Sequence, residues 1–490
     1  MALCGGVGAM ALPSELIVHI FSFLSHRDKL RASAVCSRWR ECLFYPSLWT
    51  ELKLRIGGDG CNGSDKTAKV DFLMRKFGSF VPELELELAP VEGNLSPLSN
   101  DPTAARMEQP PGGQEAHQRR RDAMATYYLD QVLCVFTGIR NNRNLQKLSL
   151  YGDTFILQQD GPLDMSSLQQ VQQGDKKINE VQQLFMELLS NSRQLRWLSC
   201  SFMLDVVTPC SLSCLSNPAA ETLQHLSLLD DQLGPLISPS ELDRLSNLHS
   251  LALDFCDFTS ELCGLLASPR RAPLHRLSLL LNGAALEFKP LEGTATEDDW
   301  KALVRVSANL RVYVMALEVD SSDLLRVLKP SLPLERLHLD SYNTLVTHGA
   351  LELISQQYKK TLTHFLLVRD GPGFPDLGVN CNEDPLVLLA WRCKQLAVLV
   401  IHGYTMWSHN LVAISRLLGS SLRVLIVSEE SLDFDPEQSY YMEGDPVHYL
   451  VKQVSKSLDL DWHPCLDFAM VLPEPTQHFH RELCAFSAGV

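Results

Sequence analysis

No run of 18 apolar residues occurs in this chain, so no membrane-spanning helix is expected. Positive charge is also short: 43 Lys and Arg stand against 58 Asp and Glu, a net −15. Nucleic acids and anionic lipids both reward cations. Neither direct nucleic-acid binding nor a membrane partner is therefore expected. Met1 to Met10 carry no Lys or Arg and no long apolar core, so a secretory leader is not expected. The 14 cysteines are numerous but unorganised: no C-x-x-C pair exists, and only Cys210 and Cys214 come close. That argues against a zinc cage or a disulfide framework. It fits buried, reduced thiols in a cytoplasmic or nuclear protein. The phosphate-cradling Gly-rich loop, the G-x-S-x-G elbow and the H-E-x-x-H zinc motif are missing as well. No catalytic residue, cofactor or metal site is predicted, and the chain reads as a non-enzyme.

What is present begins at the N-terminus. Pro13, Ser14 and Glu15 suit a first helical turn, and Leu16, Ile17, Ile20, Phe21 and Leu24 recur at helical spacing. A second segment starts at Arg27 and Asp28 and carries Leu30, Ala34, Val35 and Trp39. A third runs from Leu43 to Trp49, broken at Pro46. A unit of roughly forty residues is marginal unless it docks on something. Its apolar content exceeds what three short helices can hide, which points to a partner surface. Residues 10–50 hold five basic side chains (Arg27, Lys29, Arg31, Arg38, Arg40) and three acidic ones (Glu15, Asp28, Glu41), a local +2 that would steer an acidic partner.

The blocks Leu12-Pro13-x-Glu15-Leu16, Ile20-Phe21, Leu24, Val35-Cys36-x-x-Trp39 and Leu48-Trp49, in this order and spacing, resemble an F-box. The resemblance implies docking on a Skp-type adaptor, and through it on a cullin and a RING subunit. It implies that Leu12, Pro13, Leu16, Ile20, Phe21 and Leu24 face the adaptor, and that Val35, Cys36 and Trp39 fill the core or its edge.

The rest reads as a repeat array. L-x-x-L-x-L recurs at Leu145-Leu148-Leu150, Leu223-Leu226-Leu228, Leu248-Leu251-Leu253, Leu274-Leu277-Leu279 and Leu334-Leu337-Leu339. Looser copies are Leu195-Leu198-Cys200, Leu310-Tyr313-Met315, Leu362-Phe365-Leu367, Leu396-Leu399-Ile401 and Leu422-Leu425-Val427, with Trp49-Leu52-Leu54 and Val81-Leu84-Leu86 as earlier candidates. From Leu195 on, successive starts lie 24 to 36 residues apart, near the leucine-rich-repeat period. The longer phrase is completed only at Cys256 and Asn282. Helices are expected between the strands: an apolar stripe Ile178, Val181, Leu184, Phe185, Leu188, Leu189, a start at Asp384-Pro385, and a capping box Thr296–Asp299 before Trp300.

The predicted fold is α/β: a small helical F-box followed by a curved leucine-rich-repeat solenoid, parallel strands on the concave face and helices outside. The expected divisions are 1–9 flexible, 10–50 F-box, 51–88 first repeat-like turns, 89–122 a disordered insertion, 123–430 solenoid and 431–490 a cap or tail. Residues 57–67 read as a flexible loop. The insertion holds five Pro, three Gly and no aromatic residue, too little to bury a core. Its Arg119-Arg120-Arg121 reads as a solvated charge run, with a nuclear address or phosphate contact as the alternative.

Strand alternation turns one residue of each phrase to the concave side: Ser149, Ser199, Ser227, Ala252, Ser278, Val314, His338, Leu366, Val400 and Ile426. The last three are apolar, and Val368, Val398 and Val424 should face the same way. Leu366, Val368, Val398, Val400, Val424 and Ile426 are thus the candidate target surface, either a partner groove or a patch covered by the last sixty residues, which carry Phe434, Tyr440, Tyr441, Trp462 and Phe468. His225, His275, His338, His364 and His402 lie on separate repeats and His478 with His480 form a lone pair, so none makes a metal site.

An F-box before leucine-rich repeats is the domain order of substrate receptors in Skp–cullin–F-box ubiquitin ligases, and this chain resembles them. Segments such as RNNRNLQKLSL, NSRQLRWLSC, LHSLALDFCDF and NEDPLVLLAWRC resemble the F-box only protein thirty-three group. The long basic extension of that group before the F-box is not seen here, which puts in doubt any localisation signal carried in that stretch. The resemblance implies a receptor that binds a protein target, as yet unidentified, for ubiquitylation and degradation. The alternative from another class is a repeat scaffold or inhibitor that binds proteins without ubiquitylation. A further alternative is an F-box protein working with the adaptor alone.

Overall fold

The structure, a computed structural model, describes residues 12–56, 63–88, 127–152, 172–203, 206–229, 235–286, 291–379, 381–434, 445–466 and 475–489. The stretches expected to be flexible at 1–9 and disordered at 89–122 lie outside the described residues. The chain divides into two compact units, Met1–Leu223 and Gln224–Val490.

The first unit opens with three short helices, α1 (Ser14–Ser22), α2 (His26–Ser33) and α3 (Ser37–Cys42). Pro13 precedes α1, where its missing N–H costs nothing. Ser25 Oγ accepts from Asp28 N at the start of α2, and Cys36 Sγ accepts from Trp39 N at the start of α3. The second expected segment is therefore two helices, split where Cys36 serves as a cap. A 3₁₀ turn at Pro46–Leu48 leads into β1 (Glu51–Ile56).

Trp49 joins these helices to the first coil. Its indole stacks on Phe77, ring centroids 3.8 Å apart, and on His26 at 5.2 Å. Trp49 Nε1 donates to Leu43 O at 2.7 Å. Lys29 Nζ donates to Leu48 O at 2.9 Å and lies over the same indole. Burial pushes the Lys29 ammonium below its usual pKa. Phe77 ends the helix Gly63–Phe77, so residues 63–67, expected in a loop, lie in a helix. Residues 57–62 are outside the described residues.

Three more strands follow, β2 (Glu83–Leu88), β3 (Lys147–Tyr151) and β4 (Trp197–Ser201), each pairing in parallel with the one before. Helices lie between them at 127–139 and Gln172–Asn191. Of the expected stripe on this helix, Val181, Leu184, Phe185, Leu188 and Leu189 are buried and Ile178 is half-buried. Buried Asn142 Nδ2 donates to Gly78 O and Val81 O at 2.9 and 2.7 Å, fastening one coil to the turn of the coil before it.

The second unit holds β5 (His225–Leu229), β6 (Ser250–Asp254), β7 (Arg276–Asn282), β8 (Arg311–Leu317), β9 (Leu334–Ser341), β10 (His364–Arg369), β11 (Val398–His402), and, after the two-residue β12 (Met406–Trp407), β13 (Val424–Val427). All but β12 pair in parallel, in chain order. β12 pairs instead with β14 (Leu432–Asp433). Coil helices pack side by side from Pro239–Arg244 to Glu297–Val306 and from Ser321–Val327 to Pro446–Leu458. The expected caps are present: Asp384 Oδ1 accepts from Leu386 N and Val387 N, and Thr296 and Asp299 form a reciprocal capping box. Each unit is built of the parallel strand-and-helix coils of an α/β leucine-rich repeat, as the pattern predicted, with coils in the first unit beginning at Leu52 and Leu84.

One register differs. The phrase Leu310-Tyr313-Met315 placed Tyr313 and Met315 in the core and Val314 on the inner face, meaning the sheet face turned away from the coil helices. Pairing sets Ser278 opposite Tyr313 and Leu279 opposite Val314. Val312, Val314 and Ala316 therefore fill the core, and Tyr313 and Met315 take the inner face. β8 shifts again by one residue against β9 at Val312/Tyr313. A one-residue slip exchanges the faces of every side chain on a strand.

Trp49→Ala leaves a cavity where three aromatic rings and a buried lysine meet. An expected loss of about 3–5 kcal/mol, read as a lowered urea midpoint by circular dichroism, checks that Trp49 is the joint between the helices and the first coil.

Candidate functional site

On α1, helical spacing divides the apolar residues between two faces. Ile17 and Phe21 point into the core, Phe21 packing edge-on against Trp39 with centroids 5.4 Å apart. Leu16, Ile20 and Phe23 lie at i, i+4 and i+7 on the other face, 48%, 47% and 77% exposed. Pro13 is exposed, and Leu12 and Leu24 are half-buried. Phe21, assigned to the adaptor by resemblance, is 1% exposed and supports the surface from beneath rather than forming part of it. Val35, expected in the core or its edge, is 66% exposed, while Cys36 and Trp39 are half-buried.

Phe23 is an exposed residue outside the motif blocks, whereas Val35 is inside one and was assigned to the core or its edge. The signal for Phe23 was its place seven residues after Leu16, one stripe of a single helix. Of the local basic residues, Lys29 is buried beside Trp49 and is no rim charge. Arg31 pairs with Asp28 at 3.5 Å, both exposed, an i,i+3 contact worth little. Leu16, Ile20, Phe23 and Val35 are thus exposed apolar side chains on a short helical domain.

The second candidate surface is the inner face of β10, β11 and β13. Register places Leu366 beside Val400 and Val400 beside Ile426, with Val398 beside Val424. Leu366, Val368 and Val400 are buried in one cluster, Val398 and Ile426 pack partly buried against it, and Val424 is exposed. Of the aromatic residues considered as cover, Tyr440, Tyr441 and Phe468 lie outside the described residues. Trp462 is buried at the end of the solenoid, its Nε1 donating to Leu425 O at 2.9 Å. The helix Pro475–Ala488 packs instead on β6, β7 and β8, the polar middle of the same face.

The histidines on these strands are held individually. His225 Nδ1 lies 3.0 Å from Ser250 Oγ, and His364 Nδ1 lies 2.8 Å from Thr363 Oγ1. His402 is pushed below its usual pKa by burial. Of His478 and His480, only His480 is among the described side chains, and it is buried. No cluster of His, Cys, Asp or Glu among the described residues has the geometry of a metal site. A cavity of about 610 Å³ beside the helix Pro385–Arg392 is lined by Asp376, Asp384, Trp391, Trp407 and Asn410. Asp376 accepts from Trp407 Nε1 at 3.0 Å, and Asp384 from Asn410 Nδ2 at 2.9 Å. Burial raises the Asp384 pKa while its backbone bonds oppose the rise. Both carboxylates are engaged in holding loops and a helix start.

Two measurements check these placements. Phe21→Ala is expected to cost about 3–5 kcal/mol of stability and Ile20→Ala at most about 0.5, read from denaturant midpoints. Burial, with Arg336 and Arg423, pushes the His364 pKa down to about 4. Its imidazole is expected to show no titration by NMR between pH 7 and pH 5. The unfolded chain takes up that proton near pH 6.5, so this histidine lowers stability as pH falls from about 6.5 toward 4.

The comparisons with known proteins agree with this geometry. Residues 10–55 match the F-box-like family. Human F-box only protein 33 is 51% identical, covering 100% of this chain and 90% of its own length, and the mouse protein of that name is 50% identical, covering 100% and 89%. Sheep F-box/LRR-repeat protein 21 is 22% identical over 93% of this chain and 89% of its own. With an F-box-like domain at its N-terminal end, a leucine-rich-repeat fold and this identity over its whole length, the chain belongs to the F-box only protein 33 family.

Proposed function

We propose that this chain is the substrate-recognition subunit of a Skp–cullin–F-box ubiquitin ligase. The observation that carries the reading is the exposed stripe Leu16, Ile20 and Phe23 on a domain otherwise packed against the first coil. Leu12 and Leu24 are half-buried, Pro13 and Val35 are exposed, and Phe21 is buried beneath the helix. A Skp-type adaptor would cover the exposed side chains and link the chain to a cullin and a RING subunit. The inner face of the solenoid would hold a protein target, with Val424 exposed and Val398 and Ile426 partly exposed over the buried cluster of Leu366, Val368 and Val400.

The role is positioning. Holding a target beside a ubiquitin-loaded enzyme raises the effective concentration of its acceptor lysine, and the bond-forming chemistry belongs to the other subunits. The described cysteines are all free, which suits the reducing cytosol or nucleus. Among the described residues no helix is long and apolar enough to cross a membrane.

The test is a pull-down from cell extract with the wild-type chain and with Leu16→Asp/Ile20→Asp, blotting for the adaptor and the cullin. Both substituted positions are exposed, so the variant is expected to keep the wild-type circular dichroism spectrum while losing adaptor and cullin at least about tenfold. Capture of the adaptor without the cullin would favour a role outside a ligase. Failure of the wild type to capture the adaptor would leave a repeat scaffold as the reading.

A further inference from the structure

Inner-face positions of a coil are free of the demands of the core, since alternation turns them away from the leucines. On β5, β6 and β7 they carry the small residues Ser227, Ala252 and Ser278. From β7 to β9 the composition changes: Arg276, Tyr313 and Arg336 stand on neighbouring strands. Neither strand pairing nor the leucine core requires two guanidinium groups and a phenol there.

The helix Pro475–Ala488 is seated on this group. Glu482 Oε2 accepts from Arg336 Nη1 at 2.8 Å. Arg276 Nε donates to Phe486 O at 3.2 Å, in the last turn of the helix, where the macrodipole favours a cation. The guanidinium groups of Arg276 and Arg336 both lie over the Phe486 ring, at 5.4 and 5.2 Å from its centroid. The Tyr313 ring meets Phe486 edge-on at 5.8 Å. Arg336 is 8% exposed, and Tyr313, Leu483 and Phe486 are buried.

Arginine, tyrosine and a captured phenylalanine, joined by a charge-assisted hydrogen bond and cation–π contacts, are the composition of a protein–protein hot spot. The seat also adjoins the apolar patch, because Arg336 pairs with His364 and His338 with Leu366.

We infer that Arg276, Tyr313 and Arg336 form a peptide-binding seat on the inner face, that the helix Pro475–Ala488 is its resident occupant, and that target proteins displace it with a helix presenting a carboxylate and an aromatic ring at i and i+4. This rests on the target-receptor reading. Glu482 and Phe486 have that spacing and stand on one helix face. As part of the same chain, the resident helix acts at an effective concentration on the order of millimolar. A peptide supplied at micromolar concentration is therefore excluded from the intact protein and admitted once the resident anchor is removed.

The probe is a labelled synthetic peptide of residues 475–490, titrated by fluorescence anisotropy into three full-length proteins. The wild type is expected to show no saturable binding at micromolar concentration. Glu482→Ala/Phe486→Ala, which vacates the seat, is expected to bind the peptide at least about tenfold more tightly. Adding Arg336→Glu should abolish that binding, and a peptide carrying Glu482→Lys should restore it. A vacated protein that melts like the wild type and binds no better overturns the proposal.

A second arm uses only the wild type. Millimolar unlabelled peptide should accelerate amide hydrogen exchange at Leu483 to Phe486, and unchanged exchange overturns displacement. Adaptor capture through Leu16 and Ile20 should be the same in all these proteins. Its absence would count against the ligase reading and leave the result at the seat standing.

Discussion

A single coil of strand and helix cannot bury its own leucines. Each strand of this protein sets one row of apolar side chains toward its helix, and that row is closed only when the coils on either side cover it. The rest of the structure depends on this constraint. It explains why strands pair in chain order within each unit, why the helices pack side by side, and why the first coil needs a cover that is not a repeat. The three F-box helices provide one through Trp49, which lies between His26 and Phe77. A helical domain too small to be stable alone and a coil with an open side thus stabilise each other across one aromatic stack.

Because the core occupies one side of each strand, the other side is free to vary without loss of fold, and its composition changes from small residues on β6, through arginine and tyrosine on β7 to β9, to valine and leucine on β10 and β11. The same division holds on α1, where Ile17 and Phe21 hold the domain together and Leu16, Ile20 and Phe23 are left outside. In both places the side chains that stabilise the fold and those available to a partner alternate along one element. Burial therefore separates residues that sequence proximity groups together, as with Phe21 and Phe23.

Legibility followed the strength of local rules. The parallel strands, the helix starts at Asp384-Pro385 and Thr296–Asp299, and the coils beginning at Leu52 and Leu84 were readable because leucine spacing and caps act within a few residues. The register of β8 was not. Tyr313 and Met315 are buried on the inner face while Val312, Val314 and Ala316 are buried on the core face. With both faces apolar, the two-residue alternation carries no information about which side is the core. What covers Tyr313 is Phe486, far along the chain. Of the candidate adaptor residues, five of the six are exposed or half-buried, and the sixth, Phe21, was misplaced because a motif records which residues recur and not which way they face.

The sequence by itself determined the elements: three short helices with an apolar excess, a series of leucine strands at repeat spacing, caps, and the family to which they belong. It could do so because periodicity, capping and turn chemistry depend on neighbours along the chain. Only the tertiary structure decided which of the F-box side chains stand free, which face β8 turns to the core, and that the helix Pro475–Ala488 lies on Arg276, Tyr313 and Arg336. Those outcomes depend on what packs against each residue from elsewhere in the chain. No local pattern encodes the partner of a side chain more than a hundred residues away, as Glu482 is from Arg336.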